Sequence, residues 1–462
     1  MFKKYIGDRA FYRSAFAIAI PIIIQNGITN MASLVDNLMV GQLNLTAMSG
    51  VSVVNQFVFI YTLALLGVTS GPGIFTAQFY GSEDHDGIRH CFRFKMIGCM
   101  LFGFASIAIL AYAGTPLINS FLQGEGAVQD KAATLQYGLD YISIMVWGLI
   151  PLAIYIAYSS TLRECGQTTV PMVSGVVAVV MNMALNYVLI FGKFGAPKMG
   201  VRGAALATVI ARYVEMGITV IWTHTHRKQQ PFIRKAYSSI YIPRRLLGRM
   251  LVKGSPLMAN EFLWAFGTTF LNQCYSTKGY DVVGATNITI TISNLTSVVN
   301  IALGITVGII LGQMLGARRP KEEIMDTNRK LTALAVVAGV VFAIVLALIA
   351  YPFPKLYNAS SHVHLLAAQL MLVIAVMKPS DSYMFSAYFT LRSGGKTWTT
   401  FFYDGGFIWL VTVPLIYCLS RFTDMPIVWL YAMSFVPNLA KCVAAYFLIN
   451  RGNWMQNLTQ TK

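Results

Sequence analysis

The stretch GIFTAQFYG at residues 73–81 returns as GIILGQMLG at residues 308–316, and this repetition decides how the chain is read. The shared positions, Gly73/Gly308, Gln78/Gln313 and Gly81/Gly316, are all 235 residues apart, and at the same spacing Pro21 falls on Pro256. Farther along, Leu162-Arg163-x-x-Gly166-x-Thr168 returns as Leu391-Arg392-x-x-Gly395-x-Thr397 at a spacing of 229, a six-residue indel. One such match arises by chance. Two in the same order point to a duplicated chain.

Both copies sit in long apolar runs, and twelve such runs follow one another. They lie at about 14–40, 48–79, 94–117, 132–160, 169–192, 201–224, 254–277, 284–314, 331–352, 364–390, 397–420 and 426–450. A run of roughly 20 apolar residues is long enough to span a bilayer. The longest polar connection, about 225–253, divides the chain nearly in half. Six crossings return the chain to its starting side, so the halves are expected to be parallel repeats about an axis along the membrane normal. The fold expected is an all-α integral membrane protein of twelve transmembrane helices, in two pseudo-symmetric six-helix bundles around a central cavity. The N-terminal lobe is expected at 1–228, a basic cytoplasmic linker at 229–250 and the C-terminal lobe at 251–462.

Composition agrees. Of 462 residues, 56% are hydrophobic and only 11% charged, against about 25% charged in soluble proteins, and the mean hydropathy is +0.59. The net charge of +17 would suit nucleic acid, but the Lys and Arg residues gather in short segments between apolar runs. The partner implied is membrane lipid, not nucleic acid. Alternate connections differ sharply in charge. The set with both termini and the 225–253 linker holds 25 of the 35 Lys and Arg residues, and the opposite set holds seven. By the positive-inside rule both termini are cytoplasmic, in a multi-pass protein of the cell membrane. Lys3, Lys4, Arg9 and Arg13 before an apolar run imitate a signal peptide. The run continues past Asn26 to Gly41 without a small-residue cleavage pattern, so it reads as a retained first helix.

No soluble catalytic apparatus stands out. Gly394-Gly395-Lys396-Thr397 lacks the first glycine of a phosphate loop, since position 390 is Thr390, and there is no GxSxG or HExxH. The six cysteines form no CxxC and read as small core residues, while His224/His226 and His362/His364 read as interfacial side chains near helix ends. No cofactor and no enzymatic activity are expected.

The chemistry is carried by acids inside the apolar runs: Asp36, Glu261 and Asp381, with Asp140, Glu215 and Asp404 within or near them. An acid at a helix centre costs about 2.5–3.5 kcal/mol, so such residues face a bundle interior or a wet cavity and commonly serve ions or substrates. Asn182 and Asn186 stand one turn apart on the fifth segment, and Thr208 lies on the sixth. A carboxylate with amide and hydroxyl oxygens suits a stripped Na⁺, and the same carboxylate takes a proton when buried; both readings stand. Trp264, Tyr383, Phe385 and Tyr388 offer aromatic faces to an organic cation, or pack against lipid.

These residues carry a resemblance to the multidrug and toxic compound extrusion (MATE) transporters over essentially the whole chain. It rests on Val35-Asp36-Asn37-Leu38-Met39-Val40-Gly41, Gln78-x-x-Gly81, Leu162-Arg163-x-x-Gly166-x-Thr168-x-x-Pro171 and Asn182-x3-Asn186-x3-Ile190-Phe191-Gly192. It continues in Gly200-Val201-x-Gly203-Ala204-Ala205-x-Ala207-Thr208, Pro256-x3-Asn260-Glu261-x-x-Trp264 and Leu391-Arg392-x-Gly394-Gly395. The order and spacing together are specific. The resemblance implies antiport, in which cationic or amphiphilic organic compounds leave as Na⁺ or H⁺ enters, by a monomer that alternates access. Asp36 matches the ion-binding acid of the first helix, and Asn182 and Thr208 match its helpers. Asn186 stands where many relatives carry a second acid, which removes a charge and shifts the expected coupling toward Glu261 and Asp381. Na⁺ is accordingly expected at Asp36, Asn182 and Thr208 or at Glu261 and Asp381. The alternative is a flippase for a lipid-linked oligosaccharide or peptidoglycan precursor. That would need cavity cations, and the candidates Arg212, Lys378 and Lys441 read as lying near helix ends, unpaired with any motif.

Overall fold

The computed structural model describes residues 4–121 and 128–459, and it is all-α, with no strand among the described residues. Among the described residues, twelve long helical stretches follow the twelve apolar runs. They are α1 (Arg9–Gly41), α2 (Leu45–Gly81), α3 (His85–Phe121), α4 (128–164, with a tight turn at Val146–Gly148), α5 (Thr169–Phe191) and α6 (Val201–Thr225). The second set is α7 (Arg244–Ser276), α8 (Tyr280–Gly316), α9 (Lys321–Ile349), α10 (Ser361–Ser393), α11 (Thr397–Phe422) and α12 (Ile427–Asn450). Lys3 lies outside the described residues.

Eleven of these are apolar and long enough to cross a bilayer; α7 is the exception. It has 33 residues but begins with Arg244, Arg245, Arg249 and Lys253 and carries Glu261. Its polar content is the reason that composition alone undersells it. Basic residues at the end of a spanning helix are tolerated because their charge reaches the interface.

The chain forms two compact units: residues 4–23, 77–84 and 249–459, and residues 24–76, 85–121 and 128–248. They follow the sequence halves except that the start of α1 and the end of α2 belong with the second half. Packing explains both transfers. Ala15 is 1% and Ala19 0% exposed, each in a core cluster with second-half residues, Leu311 and Leu315 for the one and Leu303 and Ala335 for the other. The end of α2 meets α8 through the duplicated motif itself. A β-carbon on Gly81 would lie 1.9 Å from the Gln313 carbonyl oxygen, and one on Gly316 would lie 1.8 Å from that of Gln78. Only glycine lets two backbones approach so closely. The repeat that announced the duplication thus forms a reciprocal helix crossing.

The segment before α7 is folded rather than loose. Phe232 is 1% exposed and Ala236 2%. Arg93 of α3 donates to the carbonyls of Lys235, Ala236 and Tyr241 at 2.8–3.0 Å. Residues 244–250, read from sequence as linker, are the first turns of α7. Cys91, Cys99, Cys165 and Cys274 are buried, as the core reading expects, whereas Cys442 is partly exposed and Cys418 exposed, against it.

Candidate functional site

In the N-terminal unit, α1, α5 and α6 bring Asp36, Asn182, Asn186 and Thr208 together. Asn186 Nδ2 donates to Asp36 Oδ1 at 2.5 Å. With its amide turned to satisfy both neighbours, Asn182 donates to Asp36 Oδ1 at 2.8 Å and its carbonyl oxygen accepts from Thr208 Oγ1 at 3.2 Å. The i,i+4 spacing on α5 places both amides on one face, where a strand or loop would separate them. Asp36 is partly accessible, whereas Asn182 is 6% and Asn186 1% exposed. Asn186 Oδ1 is buried and accepts no hydrogen bond. A buried acceptor without a donor costs about 1–3 kcal/mol. Beside a carboxylate, that orphaned oxygen suits an incoming cation or proton. No Lys or Arg pairs with Asp36 among the described residues.

The C-terminal unit gathers a different set. Asn260, next to Glu261 on α7, donates from Nδ2 to Asp404 Oδ2 at 3.1 Å and to the Tyr388 hydroxyl at 3.4 Å. Its Oδ1 accepts from the backbone N–H of Gly405 at 2.7 Å. There α11 widens into π-helical turns over Phe402–Gly406 and Ile408–Thr412. Such turns release backbone groups and recur at functional sites, and here a side-chain amide captures one of them. Lys441 of α12 donates to the other Asp404 oxygen at 3.2 Å. Its ammonium also lies 5.2 Å from the ring centre of Tyr403 and 5.7 Å from that of Phe407.

Lys441 corrects the sequence reading. It is 5% and Lys378 2% exposed, and Lys441 is paired with Asp404; Arg212, partly buried, donates to the Gly148 carbonyl at 3.4 Å. Asp381 lies within electrostatic reach of Lys378 and Lys441, and Glu261 within reach of Arg392 and Asp404. Neither the Glu261 nor the Asp381 carboxylate takes a hydrogen bond among the described residues, and both are partly accessible. Tyr388 joins the cluster through Asn260, and Tyr383 packs beside the core containing Leu391 and Ala445. Trp264 is 42% exposed and stands outside it. Asp140 pairs instead with the exposed Arg202 at 2.8 Å. Asn260 and Lys441 were under-read in the sequence; the signal was a lysine and a carboxamide inside apolar runs.

Twelve helices, a duplicated plan and ionisable side chains held within the spans define the chain as a polytopic membrane protein of the transporter class. It belongs to the MATE family. The family's model, MatE, matches twice, over residues 21–188 and 256–418. The two matches begin at Pro21 and Pro256, the spacing that the repeat suggested. Among curated relatives, the probable multidrug resistance protein NorM of Thermotoga maritima is 22% identical, covering 100% of this chain and 98% of its own length. The multidrug resistance protein MdtK of Proteus mirabilis is 28% identical over 91% and 89%. Among solved structures, an outward-facing multidrug resistance MATE family transporter of the MOP superfamily superimposes with a TM-score of 0.86 at 16% identity, covering 98% of both chains. The Vibrio cholerae MATE transporter VcmN in the bent form gives 0.79 at 18%, covering 96% and 97%.

Proposed function

We propose that this chain is a secondary antiporter that exports cationic or amphiphilic organic compounds from the cell in exchange for inward Na⁺ or H⁺. The observation that supports it most is Asp36, a partly accessible carboxylate within a membrane span, flanked by amides and by the orphaned Asn186 Oδ1. The named activities of its relatives, multidrug resistance proteins, agree. The ion enters as a substrate of the exchange. Asp36, Asn182, Asn186 and Thr208 supply its oxygens in the N-terminal unit, and Glu261 and Asp381 are the C-terminal carboxylates offered to ion or drug.

Exchange follows from alternating access. Ion and drug occupy the same carboxylates or favour incompatible conformations, and each shifts the balance only by its differential affinity for the two states. One inward charge at 100 mV supplies about 2.3 kcal/mol, enough for about fifty-fold accumulation. The protein works as a monomer in the cell membrane with both termini cytoplasmic, the side that the Lys and Arg distribution favours. A diphosphate flippase would need free interior cations, and Lys441 is already engaged by Asp404.

Purified protein in proteoliposomes, with Na⁺ and pH gradients imposed separately, tests the reading. Drug movement driven by one gradient and lost in Asp36→Asn is expected. ATP-dependent movement indifferent to both gradients would overturn it.

A further inference from the structure

The C-terminal unit contains a carboxylate that is fixed and a lysine that is not. Asn260 donates to one oxygen of Asp404 at 3.1 Å and accepts the Gly405 N–H at 2.7 Å, which ties the acid to its own turn of α11. Lys441, 5% exposed, makes one hydrogen bond among the described residues, to the other Asp404 oxygen at 3.2 Å. A firm ammonium–carboxylate bond is about 2.7–2.9 Å long. The two remaining N–H donors of Lys441 find no acceptor among the described residues. The ring centres of Tyr403 and Phe407 lie 5.2 and 5.7 Å from the ammonium. Tyr403 and Asp404 stand in the first π-helical turn of α11, and Phe407 follows it directly. A carboxylate with two aromatic faces is a seat for an organic ammonium. Here the chain's own lysine fills it.

A second acid competes for that lysine. The Asp381 carboxylate of α10 forms no ion pair among the described residues and lies within electrostatic reach of Lys441. The two helices touch there: Cys442 Sγ of α12 is 3.8 Å from the Ser380 carbonyl oxygen of α10, so Lys441 and Asp381 flank one contact. The other groups facing Asp381 are Lys378 on its own helix and Cys442 and Tyr431 on α12. Lys378 donates instead to Ser297 Oγ of α8 at 3.4 Å. One loosely held ammonium thus serves two carboxylates and neutralises one at a time. An acid left bare within a span is costly, so whichever one Lys441 leaves takes up another cation.

We propose that Lys441 is a tethered cation that alternates between Asp404 and Asp381 and so couples ion entry to the release of an organic ammonium. Paired with Asp381, Lys441 leaves the seat of Tyr403, Asp404 and Phe407 to the ammonium. A Na⁺ or proton that takes Asp381 returns Lys441 to Asp404, the position it holds in the structure, and the ammonium is expelled. Ion and ammonium then exclude one another without sharing a carboxylate. The use of this exchange in export rests on the antiport reading, whereas the exchange itself is read at equilibrium.

The test is binding of radiolabelled tetrapropylammonium to the purified full-length protein in nanodiscs. Lys441→Met removes the internal competitor and should tighten binding by about tenfold or more, and adding Asp404→Asn should erase the gain. The decisive readout is a double-mutant cycle with Asp381→Asn. With Lys441 present, that substitution denies the lysine its second partner and should weaken binding by about tenfold; in Lys441→Met it should change binding by about threefold or less. A lysine that only braces Asp404 would not produce this dependence. Equal effects of Asp381→Asn in both backgrounds, or no gain from Lys441→Met, would overturn the proposal. Where Lys441→Met is not monodisperse, Lys441→Gln, which keeps an N–H for Asp404, decides by the same thresholds. The non-additive pattern without gradient-driven exchange in proteoliposomes removes the antiport reading and leaves the lysine exchange standing. Gradient-driven exchange with additive effects does the reverse.

Discussion

Asp36 in the N-terminal unit and Asp404 in the C-terminal unit are each held by an asparagine amide, at 2.5 Å from Asn186 and 3.1 Å from Asn260. Their remaining surroundings diverge. Asp36 sees the amides of Asn182 and Asn186 and an orphaned carbonyl oxygen, whereas Asp404 sees the ammonium of Lys441 at 3.2 Å. A duplicated chain thus holds, among the described residues, one acid without a Lys or Arg partner and one supplied with an internal cation. Two carboxylates inside apolar helices are not interchangeable; the charge beside each decides what it can accept. The resemblance had shifted the expected coupling toward Glu261 and Asp381 because Asn186 is no acid. The geometry supports Asp36 at least as well, since Asn186 contributes an acceptor oxygen in place of a charge.

Removing the acid breaks the comparison most directly. Asp36→Asn should reduce gradient-driven exchange to background, and Asp381→Asn should abolish drug resistance while expression persists; resistance assays paired with membrane immunoblots check both. The internal cation comes next. Lys441→Ala leaves the partly exposed Asp404 carboxylate without its ammonium partner and should destabilise the protein by about 1–3 kcal/mol, lowering the melting temperature in detergent. Adding Asp404→Asn should recover most of that loss, and no recovery would show that Lys441 matters through packing alone. A smaller change sharpens the contrast from the other side. Asn186→Asp gives the N-terminal site a second carboxylate and should tighten Na⁺ binding by about tenfold, as read by isothermal titration at fixed pH. The least effect is expected at the exposed pair, where Arg202→Gln should leave both the melting temperature and exchange essentially unchanged.

Much of this was legible before any coordinates. The Gly-x4-Gln-x2-Gly repeat announced the duplication, and apolar length located all twelve helices, because a bilayer demands runs of fixed length, although α3, α7 and α9 begin nine or ten residues earlier than read, in polar turns that apolar length does not register. Asp36, Asn182, Asn186 and Thr208 were legible as a set because acids and amides inside apolar runs are rare and because α5 puts two of them one turn apart. The Asn260–Asp404–Lys441 grouping was not legible. Its members come from α7, α11 and α12, and no local spacing relates them. The π-helical widening of α11 was equally hidden, since the Gly405 amide it presents is taken up by Asn260 from a helix more than 140 residues away.

By itself, the amino-acid order determined that the chain lives in a membrane, that it is built twice from one plan, and which acids it conceals there. Those properties follow from solvent transfer and periodicity, which act along the chain. Only tertiary structure decided which acids receive a counter-charge, why Gly81 and Gly316 recur, and that the start of α1 and the end of α2 pack with the second half. Those outcomes depend on distances of a few ångströms between residues hundreds of positions apart, and electrostatic and steric terms at that range are set by packing rather than by sequence spacing.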